Sequence, residues 1–280
     1  MIELDSFYIR KIVKEALLED IGSGDITTNL TIPSDSISSA VIIAKEIGVI
    51  AGIEVSKAAF KVLDDSIEFN AKLKDGSRVN VGDIIAEIKG NTRAILSAER
   101  VALNIIQRLS GIATITSKYV LLVSHTNARI VDTRKTTPLL RRMEKYAVTV
   151  GGGLNHRFGL DDGILIKDNH IAACGSITKA VDAAKQRAAH TLKIEVEVTN
   201  LKELEEAISA KADIVLLDNM DIEQLREAVK LADGRVLLEA SGGVNEASVR
   251  AIAETGVDII SVGALTHSPK ALDISLNISV

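Results

Sequence analysis

A single cysteine, Cys174, is all that this 280-residue chain carries. That excludes an internal disulfide and any multi-cysteine zinc site, and it suits a reducing compartment. Tryptophan is absent, and three tyrosines with four phenylalanines are the whole aromatic complement. Positive charge is not in surplus either: 33 Lys and Arg stand against 38 Asp and Glu, for a formal net charge of −5. A general nucleic-acid binder needs a basic patch and stacking rings, and this composition lacks both. No apolar run approaches the roughly 18 residues of a membrane-spanning helix. The opening MIELDSFYIRKIVKEALLED is too charged for a secretory signal. These absences lead to the expectation of a soluble cytoplasmic protein with no nucleic-acid or membrane partner.

What is present is ordinary for a globular protein: 46 % hydrophobic and 25 % charged residues, in a length that fits one large α/β domain or two small ones. The pattern divides near residue 112. The first part reads as a helix over Phe7–Asp20, a loop IGSGDITT, then strand-like stretches AVIIAKE, GVIAGI, IEFNAKLKDGSRV and DIIAEIKG. Turn signals at Asp75-Gly76 and Val81-Gly82-Asp83 suit antiparallel pairing. From Ile95 to about Ser124 the apolar spacing becomes three and four, which predicts a helix leading out of an α+β domain. The second part, 113–280, repeats a unit. Short apolar strands begin near 129, 164, 193, 213, 235 and 258, separated by helical patterns such as LKELEEAISAKA and IEQLREAVKLA. Strand–helix repetition demands a parallel sheet covered by helices. No glycine fingerprint for a dinucleotide follows the first strand, which favours a barrel over an open doubly wound sheet. Six strands are two short of the usual eight, so the barrel is expected to be incomplete.

Barrel active sites lie at the C-terminal ends of the strands. Those ends read Asp132-Thr133-Arg134-Lys135, Lys167-Asp168-Asn169, Glu195-Val196-Glu197, Asp218-Asn219, Glu239-Ala240-Ser241-Gly242-Gly243 and Val262-Gly263-Ala264. One charged strand end is as well explained by a solvated loop; five in six point to a site. Arg134, Lys135, Arg157 and Lys167, with His156 beside them, offer donors to an anion carrying more than one acidic group. Glu197 and Asp218 are hard oxygen donors suited to Mg²⁺, although spacing alone leaves Glu195 and Glu197 as alternatives on one strand face. Ser241-Gly242-Gly243 and Gly263-Ala264 follow the last two strands, where barrels commonly bind a phosphate. Gly151-Gly152-Gly153 is either a hinge or a place of close backbone approach. Together these features suit a Mg²⁺-bound polyphosphate, a terminal phosphate and a small carboxylate substrate. Group transfer between the two ligands needs no protein nucleophile.

The block DTRKTTPLLRRMEKYAVTVGGGLNHRFGLDDGILIKDNHI, residues 132–171, closely resembles the signature of the quinolinate phosphoribosyltransferases. ALLEDIGSGDITT, SAERVALNIIQRLSGIAT, EVEVTN, LLDNM, LEASGGV and SVGALTHS extend the likeness in order along nearly the whole chain. The resemblance implies an N-terminal α/β open sandwich, 1–112, and an incomplete α/β barrel, 113–280, whose tail is able to return to the first domain. This is the type II phosphoribosyltransferase fold. It implies joining of quinolinate to phosphoribosyl pyrophosphate (PRPP), with loss of pyrophosphate and CO₂, to give nicotinate mononucleotide for NAD synthesis. Carried over residue by residue, it implies that Thr133, Arg134, Lys135, His156, Arg157 and Lys167 bind substrate, with Lys135 and Lys167 catalytic. Glu197 and Asp218 become catalytic Mg²⁺ ligands, and Ser241, Gly242, Gly243, Gly263 and Ala264 the phosphate cradle. It further implies a homodimer in which Arg100 reaches the neighbouring subunit's site, and leaves room for a hexamer of dimers. Three other readings compete: a paralogue associated with molybdenum transport, a Schiff-base aldolase built on Lys167, and a sugar-phosphate sensor.

Overall fold

A computed structural model describes residues 4–279. The chain divides into two compact units. The first comprises the residues up to Ser117, the segment Arg142–Gly152 and the residues from Ser268 on; the second holds Lys118–Arg141 and Gly153–His267.

Helix α1 (Ser6–Ile21) starts where Asp5 accepts the Tyr8 N–H at 2.8 Å, and buries Ile9, Val13 and Leu17, one residue per turn. A short α2 (Ile26–Thr31) follows, capped by Asp25. Strands β1 (Ile37–Ala44) and β2 (Gly48–Val49) then lead into α3 (Ile53–Leu63). The sequence reading makes GVIAGI one strand, but the strand ends at Val49 and Gly52 caps α3. This residue takes φ +96°, and the Asp75 carboxylate accepts the N–H groups of Gly52 and Ile53 at 2.9 and 3.0 Å. A cap supplied from twenty-odd residues away leaves no local signal. Strands β3 (Glu68–Ala71), β4 (Arg78–Val79) and β5 (Ile84–Asn91) complete the run, and the 32-residue α4 (Thr92–Val123) leaves it. The main sheet has the order terminal strand (Ile274–Ser279), β1, β5, β3, antiparallel throughout, while β2 pairs β4 separately. Phe60 and Ile42 are fully buried in this unit, and the Phe60 ring lies 6.0 Å from that of Phe69.

The second unit repeats strand and helix. Its strands are β6 (Arg129–Val131), β7 (Ile164–Ile166), β8 (Ile194–Val198), β9 (Ile214–Asp218), β10 (Leu237–Ser241) and β11 (Ile259–Ser261). They form one parallel sheet in the order β6-β11-β10-β9-β8-β7, the incomplete barrel expected from the repeat. Between them lie α5 (Arg141–Val150), α6 (Asp168–Cys174), α7 (Ile177–Arg187), α8 (Leu201–Ser209), α9 (Ile222–Ala232), α10 (Val249–Ala253) and, after β11, α11 (Ala264–His267). Side-chain caps mark several starts: Ser176 for α7, Asn200 for α8, and Asp221 with Gln224 in a reciprocal box for α9.

The two compact units interleave along the chain. Residues 142–150 of α5 belong with the first unit, held there by charges and close packing. Fully buried Glu144 accepts from Arg108 Nε at 2.9 Å and Nη2 at 2.6 Å. The Tyr146 hydroxyl donates to Asp75 at 2.6 Å, and Arg142 pairs with Asp5 at 2.9 Å while stacking 4.9 Å from the Tyr8 ring. All these partners are distant in sequence. The glycine run has the same cause: a Cβ at Gly151 would lie 2.5 Å from the Ala113 carbonyl and 2.7 Å from Thr116 Cβ. Close approach, the second of the two readings, therefore applies to Gly151. Gly151→Ala is expected to destabilise the protein by about 1–3 kcal/mol, the usual cost of overpacking, measured as a drop in urea midpoint with unchanged slope.

Candidate active site

Parallel register decides which side chains meet. Glu197 lies opposite Leu216, which lies opposite Glu239, which lies opposite Ile259. Two residues further along, Asp218 stands level with Ser241. Because strand neighbours alternate between faces, each second residue points the same way. Leu165, Lys167, Glu197, Leu216, Asp218, Glu239, Ser241 and Ser261 all share that phase, and all line one cavity of about 580 Å³. Thr133, Arg134, Lys135, His156, Arg157, Asn219, Gly242 and Gly243 complete its wall from the loops. The volume is ordinary for a small-molecule site.

Asp132 organises the loop beyond β6. It is fully buried and accepts the His156 N–H at 2.9 Å and Asn155 Nδ2 at 2.7 Å. That fixes His156 and Arg157 beside Arg134 and Lys135. Arg157 Nη1 donates to the Gly163 carbonyl at 2.9 Å. Burial pulls its pKa below the ordinary arginine value, and the Arg134 charge adds to that pull while Glu195 opposes it. The Nε atoms of both arginines are buried with no hydrogen-bond partner. Two guanidiniums that repel each other across a buried wall are ready for an anion to join them.

The glutamates of β8 part company. Glu197 forms an ion pair with Lys167 at the cavity wall. Glu195 lies deeper, 5 % exposed, with its Oε2 3.2 Å from His156 Nε2. Glu239 Oε1 is 3.7 Å from the same nitrogen. Burial first, then the Glu195 charge, pushes the Glu239 carboxyl up to about 7, against the pull of His156 and Ser261. The three groups converge within 4.8 Å, the spacing of a metal cluster. However, His156 Nδ1 accepts the Arg157 N–H at 2.7 Å, so the ring proton sits on Nε2 and no lone pair faces the carboxylates. A proton fits this triad better than a metal.

The turn after β10 is built for close approach. Gly242 has φ +93°, and a Cβ there would fall 2.2 Å from Asn219 Oδ1. Asn219, itself at φ +54°, donates its N–H to the Ser241 carbonyl at 2.9 Å. Ser241–Gly243 line the cavity; Gly263 and Ala264 are not among its lining residues, and Gly263 instead supports Lys135, whose Cδ would lie 3.3 Å from a Cβ there. Arg100 belongs to the first unit, on α4, with its side chain 60 % exposed and 3.7 Å from Glu99. Glu239, Asn219 and Ser261 line the cavity although the sequence reading gave them no role. Glu239 and Asn219 stood in the ring of strand ends, and their phase with Glu197 and Asp218 was the available signal.

Two family descriptions match the chain: quinolinate phosphoribosyl transferase, N-terminal domain, over residues 25–110, and its C-terminal domain over 112–277. The chain belongs to the quinolinate phosphoribosyltransferase family. It is 47 % identical over 277 residues to the probable nicotinate-nucleotide pyrophosphorylase (carboxylating) of Bacillus subtilis, covering 99 % of this chain and 96 % of the relative. The Mycobacterium leprae nicotinate-nucleotide pyrophosphorylase (carboxylating) is 44 % identical, covering 96 % of each. The solved nicotinate-nucleotide pyrophosphorylase of Francisella tularensis superposes with a TM-score of 0.93 at 46 % identity, over 99 % of this chain and 98 % of that one. Both domains of the type II fold are present, and the paralogue, aldolase and sensor readings are not favoured. Among the described residues no helix is long and apolar enough to cross a membrane.

Proposed function

We propose that this protein transfers the phosphoribosyl group of PRPP to quinolinate with decarboxylation, giving nicotinate mononucleotide, pyrophosphate and CO₂ in cytoplasmic NAD biosynthesis. The observation that carries the reading is one cavity with Arg134, Lys135 and Arg157 on its wall together with Glu197 and Asp218. The first set suits a pyridine dicarboxylate, the second a metal-bound pyrophosphate. Glu197 and Asp218 end neighbouring strands, line the same cavity and offer hard oxygens, so the donor set fits Mg²⁺. When bound, Mg²⁺ supplies charge neutralisation to the leaving pyrophosphate.

In this mechanism the basic cluster holds both carboxylates of quinolinate and orients the pyridine nitrogen towards the anomeric carbon of PRPP. Lys167, now paired with Glu197, is positioned to exchange that carboxylate for substrate. The Ser241–Gly243 turn receives the 5-phosphate through backbone amides. Attack produces a pyridinium, whose positive nitrogen stabilises by its charge the electron pair left on the neighbouring C2 when CO₂ departs. Positioning and charge stabilisation supply most of the rate. The protein is further proposed to act as a homodimer, with the exposed Arg100 donated to the partner's cavity.

Quinolinate- and PRPP-dependent release of ¹⁴CO₂ is the direct test, and EDTA is expected to abolish it; activity in EDTA equal to that in Mg²⁺ would remove the metal role. Lys135→Ala and Arg157→Ala are each expected to weaken quinolinate binding by roughly 1.5–3 kcal/mol, the worth of a charge-assisted contact. Nicotinate, lacking the 2-carboxylate, should be a poor substrate; equal use of it in a competition assay would show that the cluster reads something else. For Arg100, the informative experiment mixes inactive Arg100→Ala and Asp218→Ala chains. If Arg100 crosses to the partner, each mixed dimer contains one complete site, and random mixing restores about a quarter of wild-type activity. A purified, doubly tagged dimer that is as inactive as the two homodimers would place Arg100 elsewhere.

A further inference from the structure

We propose that Glu239 is the general acid that protonates pyridine C2 after CO₂ leaves, with His156 and Glu195 as the residues that position it. The inference rests on the decarboxylating reading above and concerns a step for which that reading names no proton source.

The geometry is that of a stored proton at a substrate cavity. Glu239 lines the cavity, yet its residue is only 3 % exposed and its Oε1 has no hydrogen-bond partner. His156 directs one N–H, on Nε2, towards two carboxyl groups: 3.2 Å to Glu195 Oε2 and 3.7 Å to Glu239 Oε1. That single N–H lies closer to Glu195 than to Glu239, and burial with the neighbouring Glu195 charge favours the neutral form of Glu239. The surroundings decide which of the two carries a proton. The Arg157 charge faces Glu195, whereas Glu239 meets the Ser261 hydroxyl and the more distant side of His156, with the Asp132 carboxylate adding negative potential. The proton therefore resides on Glu239, and a carboxyl titrating at about 7 is matched to proton donation near neutrality.

The other cavity groups are poorer sources. Guanidinium protons are held too tightly to be given up. Lys135 and Lys167 are needed as charged partners of carboxylates, and the single His156 N–H is engaged by Glu195. In the proposed step, C–CO₂ cleavage leaves its electron pair on C2. The Glu239 O–H bond breaks, its proton forms the new C2–H bond, and the glutamate anion left behind faces the His156 Nε2–H. Solvent returns one proton to Glu239 as product departs.

The test separates transfer from decarboxylation by following pyrophosphate, quinolinate mononucleotide and nicotinate mononucleotide in the same quenched reactions. In Glu239→Gln, product formed per pyrophosphate released should fall on the order of 10²-fold, the usual scale of general-acid catalysis, and quinolinate mononucleotide should accumulate. In the wild type that ratio should decline as pH rises through about 7, because the acid form is lost. Glu239→Asp, which keeps a carboxyl, should keep the decline, and Glu239→Gln should lack it. A glutamine variant whose pyrophosphate and product fall equally, or whose alkaline decline persists, overturns the proposal in favour of a structural role. Should the glutamine variant fail to fold, a wild type with no decline near pH 7 overturns it just as well. A wild type that releases no pyrophosphate from quinolinate and PRPP defeats the functional reading itself; one that decarboxylates while Glu239→Gln matches it defeats the proton donor alone.

Discussion

Register in the six-stranded parallel sheet is the constraint on which the site depends. Lys167, Glu197, Asp218, Glu239, Ser241 and Ser261 come from five strands and meet only because each occupies the inward phase of its own strand. A slip of one residue in any strand would replace an ionisable group with its apolar neighbour, such as Val196, Leu217 or Ala240, and push the charge into the packing beneath the helices. Those neighbours are among the most buried residues of the sheet, so register is enforced by the outward face. The hydrophobic layer thus fixes the polar one.

Within the cavity, the charges are balanced locally more than globally. Arg134 and Arg157 repel, Glu195 tempers Arg157, Glu239 is driven towards its neutral form by burial, and Asp132 is consumed by loop N–H groups. For Arg157 and Glu239 burial and a charged neighbour bias the proton, the kind of arrangement through which acid and base roles are separated. The net charge of −5 conveys none of it.

Most of the second unit was legible from the sequence because its signals are local. Six apolar runs predicted six strands, with α8 and α9 announced by their own periodicity. Helix α4 was equally visible. Helix α3 was not, since its first amides are capped by Asp75 across a turn. The membership of α5 in the first unit rests on Arg108, Asp5 and Asp75, partners no window could contain. Motif resemblance singled out Glu197, but only the depth of Glu195 below it explains how two glutamates one turn of pleat apart do different things. Glu239 escaped notice as a functional residue because its character comes from burial and from a histidine whose tautomer is set by a backbone amide.

The strand Ile274–Ser279 pairs with β1 over Ser39–Ala44, and the chain just before it is docked on α4, where Leu272 N–H donates to the Gln107 carbonyl at 2.9 Å and a Cβ on Gly111 would strike the Lys270 carbonyl. During synthesis this makes the first domain to emerge the last to be finished. The barrel strands can pair while β1 still presents a bare edge of amides and carbonyls, the kind of surface that recruits other chains. A chain cut before Ile274 would keep every residue of the cavity and leave that sheet open.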